Sequence, residues 1–233
     1  MTHDDRLHEV LHNARVVFFD FDGPVCDVFA GLPAPQVAEQ LVAILAAKDE
    51  AAGARAVETD DPIEVLRIAH EAGPEVGRDV EDALTAAEVE AVAVAGPPTS
   101  GAVDALRAVN ASGRAVAVVS NNSAECVQSF LKAHELEKYV ARVIGRPTGQ
   151  PHLMKPNPFP LITAAEKMHV DVTSCTLIGD SVTDIQAAHA AGASVIGYAN
   201  KPHKLGWFTD EHADAITEDM QAIADRLITG TGT

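Results

Sequence analysis

At 233 residues, 47% of them hydrophobic but only 4% aromatic, the chain can bury a sizeable core as one large domain or as a main domain with a small companion. Its 34 acidic residues against 17 basic ones leave a net charge of −17, which excludes nucleic acid and anionic membrane as expected partners, since both need cationic surface. Cys26, Cys126 and Cys175 show neither a disulfide pattern nor metal-ligand spacing, the polar start lacks a signal-peptide core, and no apolar stretch is long enough to span a bilayer, so a cytoplasmic protein is expected.

The first predicted element is the apolar run that begins at Val16-Val17-Phe18-Phe19 and reads as a buried strand. It ends in Asp20-Phe21-Asp22-Gly23, two carboxylates one residue apart. Burying ionised carboxylates costs several kcal/mol each without compensation, and two side by side repel, so a bound cation is expected there. Leu32-Pro33-Ala34-Pro35 then reads as a linker. From Gln36 to about Ala95 no strand-rich stretch occurs. Val37, Leu41, Ile44 and Leu45 recur at helical spacing, as do Ile63, Leu66 and Ile68 behind Asp60-Asp61-Pro62, where Asp61 fits an N-cap and Pro62 the first helical position. A third helix is expected over Val76 to Val89. Gly96-Pro97-Pro98-Thr99 marks the exit from this helical insert, residues 30–96, which divides a core of residues 1–29 and 97–233.

The second half alternates. Helices are expected over Gly101–Asn110, Ala124–His134, Phe159–His169, Val182–Ala191 and Glu218–Leu227, and strands over Ala115–Val119, Ala141–Ile144, Cys175–Ile178 and Ser194–Gly197. Strands alternating with amphipathic helices imply βαβ units and a Rossmann-like parallel sheet flanked by helices, an α/β fold. Ligands of such sheets bind at the carboxyl ends of the strands, where Asp20, Ser120 and Asp180 would fall. The segment Gly197–Lys204 is an unusually polar, basic stretch after the last expected strand; a surface loop is favoured over a substrate contact. Gly230–Thr233 reads as a frayed tail.

Four clusters could carry chemistry: Asp20-Phe21-Asp22-Gly23, Ser120-Asn121-Asn122, Lys155-Pro156-Asn157-Pro158 and Gly179-Asp180-Ser181-Val182-Thr183-Asp184. Each has an ordinary structural explanation. Asp20 fits a turn at a strand end, Asp180 and Asp184 an N-cap and a first-turn acid, Ser120 a helix cap, and Lys155 a solvated surface group. Asp20 and Asp22 would project to the same side of an extended backbone. Free N–H groups beyond Ser120 suit a phosphate oxygen. In so acidic a chain, Lys155 beside a proline-fixed loop is a better candidate than most lysines.

In this order the four clusters resemble the motifs of the haloacid dehalogenase-like hydrolase superfamily, specifically its magnesium-dependent, capped phosphatases of the phosphoglycolate phosphatase-like kind. The resemblance covers nearly all of the chain outside the helical insert. It implies Asp20 as nucleophile forming an aspartyl-phosphate, and Asp22 as general acid and base whose backbone carbonyl also binds the metal. It further implies Mg2+ held by Asp20, Asp22 and Asp180, with Asp184 acting through water or by orienting the site and Gly23 supporting the loop. Ser120 and the amide of Asn121 would hold the phosphoryl group, and Lys155 would neutralise the nucleophile and phosphate. The helical insert would be the cap, and the substrate a small phosphorylated metabolite. A phosphosugar mutase with the same catalytic set, or a non-catalytic binding member of the fold, are the alternatives.

Pro24 departs from the Thr common after this motif, removing a hydroxyl and a backbone donor near the nucleophile. Lys48, Arg55, Arg67 and Arg78 are the insert cations that would meet substrate if any do. Cys26, although close to the site, reads as a packed, inert thiol.

Overall fold

The structure is a computed structural model describing residues 3–228, so the tail reading for Gly230–Thr233 lies outside the described residues. Helix α1 (His3–Asn13) leads into β1 (Val16–Phe19), and four helices follow: α2 (Ala34–Lys48), α3 (Glu50–Ala56), α4 (Pro62–Ala72) and α5 (Pro74–Val94). The remainder runs α6 (Ala102–Ala111), β2 (Ala115–Val119), α7 (Ala124–Ala133), β3 (Arg142–Ile144), α8 (Phe159–Lys167), β4 (Cys175–Gly179), α9 (Val182–Ala191), β5 (Ser194–Tyr198), α10 (Lys204–Asp210), β6 (Ala215–Thr217) and α11 (Gln221–Ile228).

All six strands are parallel, in the order β3-β2-β1-β4-β5-β6. β1 is central, and its four residues are buried on both faces, as the unbroken apolar run requires. The two-residue period of the strand divides them: Val17 and Phe19 join one apolar cluster with Val116, Val118 and Ile178, while Val16 and Phe18 join the other with Ala117, Val119 and Leu177. Helices α1, α6, α7 and α11 cover the first face; α8 and α9 cover the second. The chain winds outward from β1 through β2 to β3 and then returns to β4, so the strand order reverses between β1 and β4. That crevice, outside the carboxyl ends of the strands, is where an open α/β sheet binds ligands.

The insert has an apolar cluster of its own, built from Leu41, Leu45, Val65, Leu66, Val80 and Leu84 among others. Asp61 caps α4 by accepting from Ile63 N–H, as its position before Pro62 predicts. Helix α5 is longer than expected and serves both units. Val80 and Leu84 lie in the insert cluster, whereas Ala91 and Val92 lie in the core cluster, where α5 packs along α7.

Several expectations are corrected. Leu32–Pro35 is only in part a linker: Ala34 already begins α2, because Pro33 and Pro35 fit the open N-terminus, where an absent N–H costs nothing. β5 is not the last strand, since β6 pairs beside it. The basic stretch after β5 is not simply a surface loop, because Lys204 begins α10 and points inward. Helices α1 and α3 were not expected. The final helix starts at Gln221 rather than Glu218, since Asp219 accepts from Gln221 N–H and caps it there. No helix among the described residues is long and apolar enough to cross a membrane.

Candidate active site

Four strand ends and two loops converge on the crevice. Asp20 follows β1, and its N–H donates to Ile178 O at 2.8 Å, which ties it to β4. Its carboxylate Oδ1 accepts from Phe21 N–H at 2.7 Å and meets Lys155 Nζ at 2.8 Å; no protein donor reaches Oδ2 among the described residues. Two residues on, Asp22 lies on the same side, and its Oδ1 accepts from Val28 N–H at 3.0 Å. The chain then folds back, with Gly23 N–H donating to Cys26 O at 2.7 Å and Thr99 Oγ1 donating to Gly23 O at 2.7 Å. Gly23 has φ of +97°, and a Cβ there would overlap the Asp180 carboxylate. Both the turn and the approach of Asp180 therefore require glycine.

Asp180 follows β4 and Asp184 lies in the first turn of α9. Ser181 caps that helix in a reciprocal box with Asp184, whose Oδ2 accepts from Ser181 Oγ at 2.6 Å and Ser181 N–H at 3.0 Å. Asp184 Oδ1 meets Lys155 Nζ at 2.5 Å. The helix-cap explanation of Asp184 is thus correct for one oxygen only. The other anchors the lysine, and Asp184 is fully buried.

Lys155 is 1% exposed, with its Nζ donating to Val119 O at 3.1 Å as well as to the two aspartates. Burial alone would depress its ammonium, but Asp184 and Asp20 outweigh that and hold it well above its ordinary value. Asn121 fixes the backbone beneath it: Asn121 Oδ1 accepts from Lys155 N–H at 2.9 Å and Nδ2 donates to Lys155 O at 3.1 Å. Ser120, after β2, is tied to Asn122, its Oγ donating to Asn122 Oδ1 and accepting from Asn122 N–H, both at 3.1 Å. Asn157 shapes its loop, accepting from Phe159 N–H.

The acids are electrostatically crowded. Burial pushes Asp20 well above the usual carboxylate range, and Asp184 and Asp180 add repulsion that Lys155 only partly offsets. Burial raises Asp22 to about 6, with the Val28 hydrogen bond opposing and Asp180 reinforcing. Asp180 is raised by burial too, although Lys204 Nζ at 2.5 Å and Asn200 Nδ2 at 3.0 Å from its Oδ2 pull it back. When ionised, four carboxylates against Lys155 and Lys204 leave two negative charges, the charge of one divalent cation. Oxygens of Asp20, Asp180 and Asp184 lie within 4.8 Å of one another. An all-oxygen cluster suits a hard cation such as Mg2+. The Asp22 carboxylate is not among these three, so its side chain is left for other chemistry.

A cavity of about 480 Å³ opens above the cluster, walled by the core acids, Ser120 and Lys155 below and by Pro62, Ile63 and Leu84 of the insert above. Its size suits a small metabolite. Of the four insert cations considered, Arg67 alone lines it. Lys48 pairs with Asp79, Arg55 pairs with Glu71, and Arg78 is exposed. A larger depression of about 630 Å³ borders Ser194 and Ala215, at the opposite, N-terminal ends of β5 and β6, away from every acid named above. Cys26 is fully buried and its thiol is pushed up by burial, in keeping with an inert packing role.

Sequence reasoning missed two groups. Lys204 and Asn200 reach Asp180, and their only sequence signal was the basic stretch after β5. Glu88 and Arg146 are buried beneath the Ser120 loop. The signal for Glu88 was an acid in phase with the apolar stripe of α5, four residues after Leu84 and three before Ala91.

A family model for haloacid dehalogenase-like hydrolases matches residues 14–192. A phosphoglycolate phosphatase of Xylella fastidiosa is 29% identical over 230 residues, covering 88% of this chain and 91% of that protein. The phosphoglycolate phosphatase of Escherichia coli is 38% identical over 94 residues, 40% of this chain and 36% of that protein. The crystal structure of a predicted phosphoglycolate phosphatase from Haemophilus somnus has a TM-score of 0.65 at 21% identity, over 93% of this chain and 98% of that one, a likeness of fold.

Proposed function

The chain belongs to the haloacid dehalogenase-like hydrolase family, and on that premise we propose that it is a Mg2+-dependent phosphatase that hydrolyses a small phosphate monoester through an aspartyl-phosphate on Asp20. The observation that carries this reading is the buried Asp20–Lys155–Asp184 triad beside Asp180, whose three aspartates bring carboxylate oxygens within 4.8 Å of one another. Asp20 and Asp180, with the backbone carbonyl of Asp22, would hold the ion. When bound, Mg2+ supplies the positive charge that draws a phosphate into this acidic crevice and polarises it.

Asp20 is oriented for attack. Phe21 N–H and Lys155 fix Oδ1, leaving Oδ2 to form the bond to phosphorus as the bond to the leaving oxygen breaks. Asp22, whose side chain is free of the three-acid cluster and whose burial favours the protonated carboxyl, gives its proton to that oxygen. As a carboxylate it then takes a proton from the water that attacks phosphorus, releasing inorganic phosphate and restoring Asp20. The Ser120 hydroxyl turns its proton from Asn122 Oδ1 to a phosphoryl oxygen and the Asn121 N–H holds another, while the Asn121 side chain is occupied with Lys155. Lys155 keeps its charge throughout, held by Asp20 and Asp184 before attack and by Asp184 and the phosphoryl group in the intermediate, and Asp184 serves to position it.

Residues 30–96 act as the cap and residues 1–29 and 97–233 as the catalytic core, with the cavity between them limiting substrates to small molecules. Arg67 reaches that cavity from the cap and is proposed to meet the end of the substrate remote from the phosphate. The similarity to phosphoglycolate phosphatases makes 2-phosphoglycolate, with its carboxylate, the first candidate. The experiment is phosphate release from a panel of phosphometabolites, with 2-phosphoglycolate and p-nitrophenyl phosphate included, in Mg2+ and in EDTA. Metal-dependent release supports the proposal; no release from any member in Mg2+ overturns it.

A further inference from the structure

Beneath the Ser120 loop lies a buried ionic cluster that none of the catalytic steps uses. Arg146, two residues past β3, has its side chain 2% exposed, and Glu88 of α5 is fully buried. Arg146 Nη1 donates to Glu88 Oε1 at 2.8 Å and to Asn121 O at 3.1 Å, while Nη2 donates to Thr85 Oγ1 at 3.0 Å. Glu81, about two turns before Glu88 on α5, stands 3.5 Å from Arg146 Nε and accepts from Gly149 N–H at 2.8 Å. Glu88 is itself shared with the phosphate loop: Oε2 accepts from Ser123 N–H at 2.9 Å and Oε1 from Asn122 Nδ2 at 3.2 Å. Arg146 N–H completes the clasp by donating to Asn122 O at 2.8 Å.

We propose that Glu88 and Arg146 are positioning residues: they clasp the 120–123 phosphate loop from two sides and so couple its geometry to helix α5 of the cap. The inference rests on the reading of Ser120 and Asn121 as phosphate ligands. Three observations carry it. First, both charges are removed from water, and such a pair is a poor way to gain stability, because apolar side chains of similar volume do as well or better. Second, every hydrogen bond of Glu88 that does not go to Arg146 goes to the loop, and through Asn122 it reaches the Ser120 hydroxyl. Third, α5 belongs to the apolar clusters of both cap and core, with Thr85 and Glu88 between them. A displacement of α5 is therefore transmitted to Ser120 through one carboxylate and one amide side chain, and the cap is seated on the core by this helix rather than hung from two linkers.

The test uses full-length protein with Glu88→Gln, Arg146→Met and the double variant, which removes both charges of the pair while Glu81 keeps its hydrogen bond from Gly149 N–H and the His70 ring 3.5 Å away. Three quantities are read: thermal stability, amide hydrogen exchange in the absence of ligand, and binding of inorganic tungstate as a phosphate mimic in Mg2+. The double variant is expected to stay folded, to exchange about tenfold faster at residues 120–123 than the wild type, and to bind tungstate about tenfold more weakly, one charge-assisted hydrogen bond's worth. KM for p-nitrophenyl phosphate should rise with tungstate Kd. Unchanged exchange in this loop in the folded double variant overturns the proposal, as does exchange accelerated equally throughout the chain, the mark of a merely structural pair. If the wild type binds no tungstate, the phosphatase reading fails, and exchange at 120–123 still decides whether the clasp orders the loop.

Discussion

Asp22→Asn separates the electrostatics of the crevice from its catalysis. In the metal-free protein the Asp22 carboxyl is raised from an ordinary 3.8 to about 6. An acid raised in this way binds its proton more firmly folded than unfolded. Its contribution to stability is therefore whole below about pH 4 and is lost as the pH rises through about 6. Above that, ionised Asp22 costs about 2 to 3 kcal/mol, the upper figure applying only without relief from water in the cavity. Asparagine keeps the shape and an oxygen for the Val28 N–H but has no such proton to lose. In EDTA the variant should exceed the wild type by about 2 to 3 kcal/mol at pH 8 and by about half as much at pH 5. For a chain of this size that is a rise of roughly 5 to 10 °C in Tm at pH 8. Urea unfolding at both pH values measures the difference, and phosphate release should be lost in the same variant. A variant no more stable than wild type at pH 8, or a difference independent of pH, would refute the reasoning.

Lys155→Met should destabilise the fold by roughly 3 to 5 kcal/mol, because Asp20 and Asp184 lose their buried counterion; urea melts check it, and a neutral effect would contradict the triad. Gly23→Ala combines a left-handed φ with overlap on Asp180, so Mg2+ should raise the Tm of the wild type in calorimetry and leave that of the variant unchanged; an equal rise in both would contradict the site. Arg67→Ala should raise KM for 2-phosphoglycolate about tenfold, with little change for p-nitrophenyl phosphate, which has no carboxylate; equal effects on both would remove Arg67 from substrate recognition. All three cysteines are buried with their thiols raised, Cys175 to about 11, so a thiol reagent should label none in the native protein and three after unfolding.

How much of this was legible in the sequence depends on the range of the interaction. Asp20 and Asp180 could be read because each ends a short apolar run at a point fixed by the chain itself, and a parallel sheet gathers such points at one edge. Asp61 was legible for the same reason, since its partner Ile63 is two residues away. Lys155 was legible only as a lysine out of place, for its partners lie 135 and 29 residues distant. Glu88 meets Arg146 across 58 residues, and an acid in an apolar stripe says that it is paired without saying with what. β6 is three residues long and α10 is mostly exposed, so neither carried enough periodicity to be separated from a loop. Helix α1 was there to be read, with Leu7 and Leu11 at helical spacing, both now packed in the core.

The most direct measurement is to quench the protein in mid-turnover with 32P-labelled substrate and map the bound label. A hydroxylamine-labile label on the peptide containing Asp20, absent from Asp20→Asn together with all turnover, is the predicted result. Appreciable turnover by folded Asp20→Asn, or a label on another side chain, would contradict the assignment of Asp20 as nucleophile.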